Sequence, residues 1–324
     1  MKLGPKLIKA SVSVALLAVV VATNDLSAVL DRLRNVDVGD VLAALAIIIA
    51  AAIPHALRWR LMLSACESSL PLRRIFKYLF IGYFFNQTLP SSLGGDAVRV
   101  WKGYRAGLTL ANSFNSVLLD RLAALLALLV LISALIPWMP EVVHDERAIW
   151  SLILLVVAGV FGFAILCTLD RFGLRHAHIR LIRILVRLSG HARRAFLDWR
   201  TGPAAVALSI VVHAAVACTV YLLAVGLRIQ VDLLDCLILV PPVILLTTIP
   251  ISIAGWGVRE GAMVVAFAYA GVPASDALAL SLFFGFVLLL SGIPGGFVWM
   301  ADDHVKSRAV VELQHLRTLP PDTD

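Results

Sequence analysis

Two ten-residue stretches, 160 positions apart, place charged and helix-breaking residues inside long apolar runs. Residues 90–99 read PSSLGGDAVR and residues 250–259 read PISIAGWGVR, and the two match at Pro, Ser, Gly, Val and Arg. Proline and glycine interrupt a helix, whereas arginine offers a planar, bidentate donor for anions. Broken helices in corresponding positions of two repeats mark binding sites near the bilayer midplane of transporters. The paired pattern therefore indicates an anion site, provided that both copies occupy equivalent places in the topology.

Each stretch contains the residues of a helix break followed by a new helix start. The glycines allow a sharp entry, and the Asp96 side chain is suited to accept from the first free backbone N–H groups. The helix-break and cap candidates are Pro90, Gly94, Gly95, Asp96, Pro250, Gly255 and Gly257. Helix N-termini and arginine together suit a phosphate. The candidate residues for binding such a phosphate group are Arg99, Arg121, Arg259, Asn86, Ser92 and Ser252. Alternatively, these charges only anchor the ends of the broken helices at the membrane interface.

Asp120 and Arg121 lie about a third of the way into a run of Leu, Ala and Val. A charged residue near the centre of a membrane helix costs about 2.5–3.5 kcal/mol on insertion scales, so both should face the bundle interior. Either Arg121 binds a phosphate, or Asp120 and Arg121 pair with Glu260 and Arg99 as a structural network. Asp96, Asp120 and Glu260 are also candidate sites for a proton or an amine.

The composition is that of an integral membrane protein. Hydrophobic residues make up 60% of the chain and charged residues only 15%, and the mean hydropathy is +0.91. The four cysteines are far apart, with no CxxC pair or histidine spacing that would indicate metal or redox chemistry. We therefore expect packing cysteines, no metal, no cofactor and no nucleic-acid partner.

The apolar runs predict an all-α polytopic membrane protein with about six full transmembrane helices plus two re-entrant broken-helix hairpins. The predicted spans are residues 7–23, 41–58, 113–137, 148–169, 203–227 and 276–300. Residues 75–98 and 236–271 contain the paired motifs and form the two hairpins. The N-terminal run also admits a signal peptide, but its removal would break the symmetry of the halves.

Basic residues predict the orientation, since Lys and Arg concentrate in cytoplasmic loops. Both flanks of residues 75–98 are basic, and this fits a hairpin that enters and leaves from the inside. The residues assigned to these cytoplasmic flanks are Arg58, Arg60, Arg73, Arg74 and Lys77 before it and Arg99, Lys102 and Arg105 after it. The order of spans is then an inverted repeat of residues 1–140 and 141–301 within a single domain, residues 1–301, followed by a cytoplasmic tail, 302–324. Both termini are predicted to lie on the cytoplasmic side of the cytoplasmic (inner) membrane. A second similarity between the halves supports the repeat: residues 106–108 are Ala-Gly-Leu and residues 270–272 are Ala-Gly-Val.

The motifs resemble those of a known family, the membrane region of lysylphosphatidylglycerol synthases and the stand-alone flippase-like proteins related to it. The resemblance rests on residues 84–90, 94–99, 120–121 and 250–260 and extends over nearly the whole chain. It implies a lipid-translocating membrane domain. In the lysylphosphatidylglycerol members this domain precedes a soluble aminoacyl-transferase domain, for which the sequence after the last predicted span leaves no room. Lysyl transfer to a lipid is therefore not expected of this chain.

Three classes of function are compatible with these features. We favour a flippase or transporter that moves a phosphate-headgroup lipid, either a phospholipid or a polyprenyl-phosphate-linked one, with membrane lipids as its partners. The second is a membrane-embedded lipid-modifying transferase or hydrolase, although no HExxH, serine-elbow or aspartate-rich metal motif is present. The third is an accessory scaffold for lipid- or glycan-synthesis enzymes. We therefore predict no enzymatic activity.

Two further features leave alternatives open. Residues 171–200 are typical of a basic amphipathic helix, which we expect on the inner membrane surface, as an ordinary positive-inside loop or as a collector of anionic headgroups. His55 and His213 lie in apolar spans, where a histidine either relays protons or packs with a hydrogen bond.

Overall fold

Among the residues that the structure describes, five helical segments are long and apolar enough to cross a membrane. The computed structural model describes residues 36–89, 93–171, 180–248 and 255–302, with the backbone alone for residues 180–185. Within these residues the candidate spans are Val38–Ala65, Leu110–Val142, Glu146–Arg171, Thr201–Gly226 and Ala274–Met300. They coincide with five of the six predicted spans and confirm the all-α fold class. The other predicted span, residues 7–23, lies outside the described part of the chain.

The helices are numbered here in chain order within the described residues. They are α1 (Val38–Ala50), α2 (Ala52–Ala65), α3 (Leu72–Thr88), α4 (Gly94–Arg105), α5 (Leu110–Leu135), α6 (Met139–Val142), α7 (Glu146–Thr168), α8 (Arg180–Phe196), α9 (Thr201–Gly226), α10 (Leu233–Thr247), α11 (Val258–Ala268) and α12 (Ala274–Met300). Helices α1 and α2 form one span, and short 3-10 turns follow α5 and α7.

Helices α3 and α4 cover the first predicted hairpin, with α3 ending at Thr88 and α4 beginning at Gly94, as the helix-breaking residues indicate. The re-entrant course of this hairpin and of the second stays a prediction. Helices α3 and α4 pack so closely that a Cβ atom on Gly95 would lie 2.0 Å from the carbonyl oxygen of Gly82. Only glycine allows this approach of two backbones. The side from which the hairpin enters the membrane stays a prediction.

Helices α10 and α11 form the second predicted hairpin. Gly255 and Gly257, which precede α11, have φ angles of 83° and 85°. A side chain at such φ angles is strained, and this is the physical reason for the glycines in this copy of the motif.

Both short helices that follow a break end in the same glycine turn. Gly107 after α4 and Gly271 after α11 have φ angles of 103° and 72°. The next residue in each case, Leu108 or Val272, donates its N–H back to a carbonyl in the last turn of the helix, at 3.2 Å and 3.1 Å. These are C-terminal glycine caps. The inverted repeat stays a prediction, and the matching turns are local evidence in its favour.

The two predicted halves meet where α12 packs on α3. A Cβ atom on Gly295 would lie 1.8 Å from the carbonyl oxygen of Phe80, and one on Gly296 would lie 2.9 Å from the Phe84 ring. Small residues that let helix backbones approach are typical of helix pairs in membranes. This contact holds α3, which carries Asn86, against the last span.

Helix α8 packs on the bundle through buried apolar residues. Val186, Leu188 and Phe196 are buried, and Phe196 stacks edge-on against Phe163 of α7 with 5.0 Å between ring centres. The predicted position of this helix on the inner membrane surface stays a prediction. Residues 172–179, the first part of the predicted basic segment, lie outside the described residues.

Candidate functional site

Asp120, in α5, is the centre of a buried hydrogen-bond network. Its Oδ1 accepts from Arg58 Nε at 2.7 Å, and its Oδ2 accepts from Arg99 Nη2 at 2.8 Å. His55 Nε2 lies 3.0 Å from the same Oδ2, and His55 Nδ1 lies 2.8 Å from the Tyr83 hydroxyl. Because a carboxylate only accepts, the ring donates from Nε2 and accepts at Nδ1. Asp120 is 1% exposed, so it faces the interior as predicted.

Arg99, in α4, joins this network to the first broken-helix motif. Its guanidinium lies 4.0 Å from the centre of the Trp59 ring, and its Nη1 donates to Asp96 Oδ1 at 3.2 Å. Although the residue is 4% exposed, its Nε has no hydrogen-bond partner among the described residues. A buried donor without a partner costs about 1–3 kcal/mol. A ligand oxygen at this Nε would remove that cost.

Arg121 and Asp96 extend the network toward accessible space. Arg121 Nε donates to Asp96 Oδ2, and their side chains are 30% and 14% exposed. The connected group contains three guanidinium groups, on Arg58, Arg99 and Arg121, and two carboxylates, on Asp96 and Asp120. Counted over these five described side chains alone, and with His55 neutral, the group has three positive and two negative charges. An excess of positive charge inside a membrane bundle needs water or an anion to compensate it.

A cavity of about 170 Å³ adjoins these groups, and we call it the first cavity. Its lining residues are His55, Arg58, Leu79, Gly82, Tyr83, Asn86, Asp96, Arg99, Asp120, Arg121 and Ala124. Since a water molecule takes about 30 Å³, the volume holds about five waters or one group of phosphate size. The first cavity therefore offers a small anion both space and a positive charge.

A second cavity, also of about 170 Å³, lies at Arg259 in the second motif. Arg259 Nη2 donates to Glu260 Oε1 at 2.6 Å, and its guanidinium lies 4.8 Å from the centre of the Trp256 ring. Its Nε, like that of Arg99, has no hydrogen-bond partner in the part of the chain that the structure describes. The lining residues are Asn86, Gln87, Ile244, Thr247, Gly255, Arg259, Phe284 and Leu288. The two motifs thus each place a buried arginine, over a tryptophan ring and with an unpaired Nε among the described residues, beside a cavity.

The structure changes the roles that the sequence assigned to two acidic residues. Helix α4 begins after Leu93 without a side-chain cap, and the Asp96 carboxylate accepts from two arginines instead. Buried guanidinium groups need a carboxylate more than partly solvated N–H groups do. Glu260 caps α11 by accepting from the Gly257 N–H at 2.5 Å. It pairs with Arg259, so the alternative in which Glu260 joins Asp120 and Arg121 in one network is corrected.

Several of the site residues predicted from the sequence lie at the two cavities, and others lie outside the described residues. Asn86 and Arg121 line the first cavity, and Gly255 lines the second. Gly94 and Gly95 open α4 against α3, where the Gly95 N–H donates to Asn86 Oδ1 at 2.9 Å. Pro90, Ser92, Pro250 and Ser252 lie outside the described residues.

Arg58 and Tyr83 are site residues that the sequence interpretation missed. Arg58 was assigned to the cytoplasmic flank of the first hairpin, but α2 continues to Ala65 and buries it. Its Nη1 also donates to Ser209 Oγ of α9 at 3.1 Å. The spacing of His55 and Arg58, three residues apart on one helix face, was the signal that could have revealed it. The other histidine in an apolar span, His213, donates from Nε2 to the Ala124 carbonyl oxygen at 3.0 Å, as expected of a packing histidine.

The described residues also include side chains of the types that bind metals or act as thiol nucleophiles. No group of three or more His, Cys, Asp or Glu side chains within them is arranged to hold a metal ion. Cys66, just beyond the first described span, is buried, and this burial raises the pKa of its thiol to about 12. The thiol therefore stays protonated at neutral pH and is a poor nucleophile.

Comparisons with known proteins agree with the fold and with the motifs. The chain matches the family described as "Lysylphosphatidylglycerol synthase TM region" over residues 6–295. It is similar to a UPF0104 membrane protein of Methanothermobacter thermautotrophicus, with 24% identity over 254 residues that cover 70% of this chain and 72% of that protein. The family match covers most of the chain and includes both broken-helix motifs. The chain is therefore a multi-pass membrane protein that belongs to the lysylphosphatidylglycerol synthase TM region family.

Proposed function

We propose that this protein moves a lipid with a phosphate-bearing headgroup, a phospholipid or a polyprenyl-phosphate-linked lipid, across the cytoplasmic membrane. The observation that carries the proposal is the surplus positive charge, counted over its described side chains, of the Asp120 network beside the first cavity. A positive site enclosed in a membrane bundle attracts an anion strongly, because a low dielectric strengthens the interaction. Membership of a family named for a lipid synthase supports a lipid as the carrier of that anion.

The chemistry of the donors favours a phosphate. Arg99 Nε has no hydrogen-bond partner among the residues that the structure describes, and Arg121 is the most exposed guanidinium of the network. Both line the first cavity and are placed to donate to oxygens there. Guanidinium groups bind phosphate through short, charge-assisted hydrogen bonds. The Asp96 carboxylate, held by both arginines, orients them before the anion arrives. A phosphate that enters the cavity shares these donors with Asp96.

The size of the cavity indicates which part of the lipid enters it. A volume of about 170 Å³ is smaller than the roughly 300–1,000 Å³ of pockets that enclose whole ligands. The headgroup therefore crosses through the bundle while the hydrocarbon chains stay in the bilayer. The interrupted helices supply the polar backbone ends along this path, since irregular backbone at membrane depth occurs where it lines a cavity. The activity proposed is transport without catalysis, driven by an ion gradient or by the lipid gradient itself.

The proposal is tested with purified protein in liposomes. Fluorescent phosphatidylglycerol, cardiolipin and polyprenyl phosphates are scanned for movement between leaflets. We expect movement of at least one of them, and a loss of about tenfold or more in the Arg121→Gln variant, which removes one charge-assisted donor. Arg60→Gln is the matched control, because Arg60 is exposed on α2. Absence of movement by the wild-type protein, or wild-type rates in Arg121→Gln, would contradict the proposal.

A further inference from the structure

Asn86 connects the two cavities. It lines the first cavity with Arg99 and Arg121, and it lines the second with Arg259. Of the described residues that line the two cavities, no other lines both. Asn86 is thus the point at which the site in the first motif adjoins the site in the second.

The amide of Asn86 is held in one orientation. Its Oδ1 accepts from the Gly95 N–H at 2.9 Å, at the place where Gly95 packs directly on α3. The side-chain amide has a carbonyl oxygen that accepts and an NH₂ group that donates. Since the oxygen is engaged by Gly95, the NH₂ group is the end of the side chain that remains for a ligand. Asn86 therefore presents a donor where the cavities adjoin.

The arginines on either side of Asn86 are matched in detail. Each is 4% exposed, lies over a tryptophan ring and has an Nε without a partner among the described residues. Each also occupies space left by a glycine: a Cβ on Gly82 would lie 3.1 Å from Arg99 Cδ, and one on Gly285 would lie 2.2 Å from Arg259 Nη2. Such matched surroundings, with an unused buried donor on each side, indicate the same type of ligand in both cavities.

The charges of the two sites differ. Among the described residues, the network at the first cavity has three guanidinium groups and two carboxylates, whereas Arg259 is paired with Glu260 and forms a neutral pair. An anion is therefore attracted more strongly to the first cavity than to the second. Two sites of unequal strength are suited to passage, because a single strong site would retain the anion.

We infer that the two cavities are successive binding sites for one phosphate group. The NH₂ group of Asn86 donates a hydrogen bond to the phosphate as it passes between Arg99 and Arg259. This inference rests on the proposed function and adds a path to it. Asn86 is then a positioning residue shared by both binding sites. The headgroup changes its arginine partner while it keeps a hydrogen bond to the same amide.

The Asn86→Asp variant tests the role of Asn86. The carboxylate still accepts from the Gly95 N–H, so we expect the melting temperature in detergent to stay close to that of the wild type. It loses the NH₂ donor and adds a negative charge, and translocation of fluorescent phosphatidylglycerol in liposomes should fall by about tenfold or more. Asn112→Asp is the control, since it makes the same change near the start of α5, at a residue that lines neither cavity. We expect it to retain more activity than Asn86→Asp.

A second experiment measures binding instead of transport. Phosphorus NMR of dihexanoylphosphatidylglycerol bound to the full chain in detergent should show two bound signals, and Arg259→Gln should remove one of them. A wild-type protein that moves lipid, but shows one bound signal and is unaffected by Asn86→Asp, would overturn this inference and leave the proposed function standing. A wild-type protein that moves no lipid would overturn both.

Discussion

Asp120 Oδ2 and Arg99 Nη2 lie 2.8 Å apart, in two side chains that are 1% and 4% exposed, and this pair joins the first broken-helix motif to the following span. Arg58 of α2 forms a second ion pair with Asp120, with 2.7 Å between Arg58 Nε and Asp120 Oδ1. The helices α2, α4 and α5 are therefore held by one carboxylate. Removal of that carboxylate would leave two buried guanidinium groups without their main partner.

Asp120→Asn should destabilise the protein strongly. Breaking a buried ion pair from one side costs about 3–5 kcal/mol, because the remaining charge stays buried. We expect a large drop in the melting temperature in detergent. Glu141→Gln is the control, since Glu141 is an exposed carboxylate in the short helix after α5. Equal melting temperatures for the two variants would contradict the central place of Asp120.

Gly295→Ala should separate α12 from α3. The added Cβ would lie 1.8 Å from the Phe80 carbonyl oxygen, and neither backbone can give way without moving its helix. Overpacking of this kind costs about 1–3 kcal/mol. Gly162→Ala in α7 is the control, because its Cβ would meet nothing within 4 Å among the described residues. Thermal unfolding should show a loss for Gly295→Ala and no loss for Gly162→Ala, and the reverse order would show that this helix contact is wrongly placed.

Asp302, just after α12, should make stability depend on acid pH. It accepts from Lys77 of α3 at 2.8 Å and from Lys102 of α4. Burial raises the pKa of this carboxyl, but the hydrogen bonds from Lys102 and Lys77 lower it further, so its pKa lies below the ordinary value of 3.8. A lowered pKa gives stability that is present above the unfolded pKa and is lost as the pH falls through the folded pKa.

The Asp302→Asn variant checks this linkage. Its melting temperature should lie below that of the wild type by a constant amount between about pH 5 and pH 8, where the carboxyl is ionised in both states. The difference should shrink only below the ordinary carboxyl pKa of 3.8. A difference that already disappears near neutral pH would contradict the ion pairs with Lys77 and Lys102.

The predicted orientation is tested by labelling Trp199. This side chain, in the predicted inner segment, is 75% exposed. In a variant without the four native cysteines, Trp199→Cys should react with a membrane-impermeant maleimide only after the cells are opened. Arg147→Cys, at the opposite end of the Glu146–Arg171 span, should react in intact cells. The opposite pattern would reverse the topology.

The spans and the helix breaks could be predicted because they depend on local properties. Runs of apolar residues determine which segments cross the membrane, and Pro and Gly determine where a helix stops. The inward position of Asp120 also followed from the cost of a charge in lipid. These arguments need no knowledge of which helices are neighbours.

The pairing inside the site could not be predicted for the opposite reason. Arg58 and Arg60 are two residues apart in the same helix, yet Arg58 is buried on Asp120 and Arg60 is exposed, and only the packing of α2 separates them. A count of basic residues assigns both to a loop. Likewise, the position of Asp96 suits it to cap α4. Instead its carboxylate pairs with Arg121 of α5, an interaction stronger than a hydrogen bond from a backbone N–H.

The most direct test of the central claim compares two fluorescent lipids in liposomes that contain the purified protein. Phosphatidylglycerol carries a phosphate, whereas glucosylceramide has a polar headgroup without one. If the surplus charge of the Asp120 network selects a phosphate, the protein should speed the movement of phosphatidylglycerol between leaflets and leave glucosylceramide at the rate of empty liposomes. Equal movement of both lipids, or of neither, would contradict a phosphate-selective flippase.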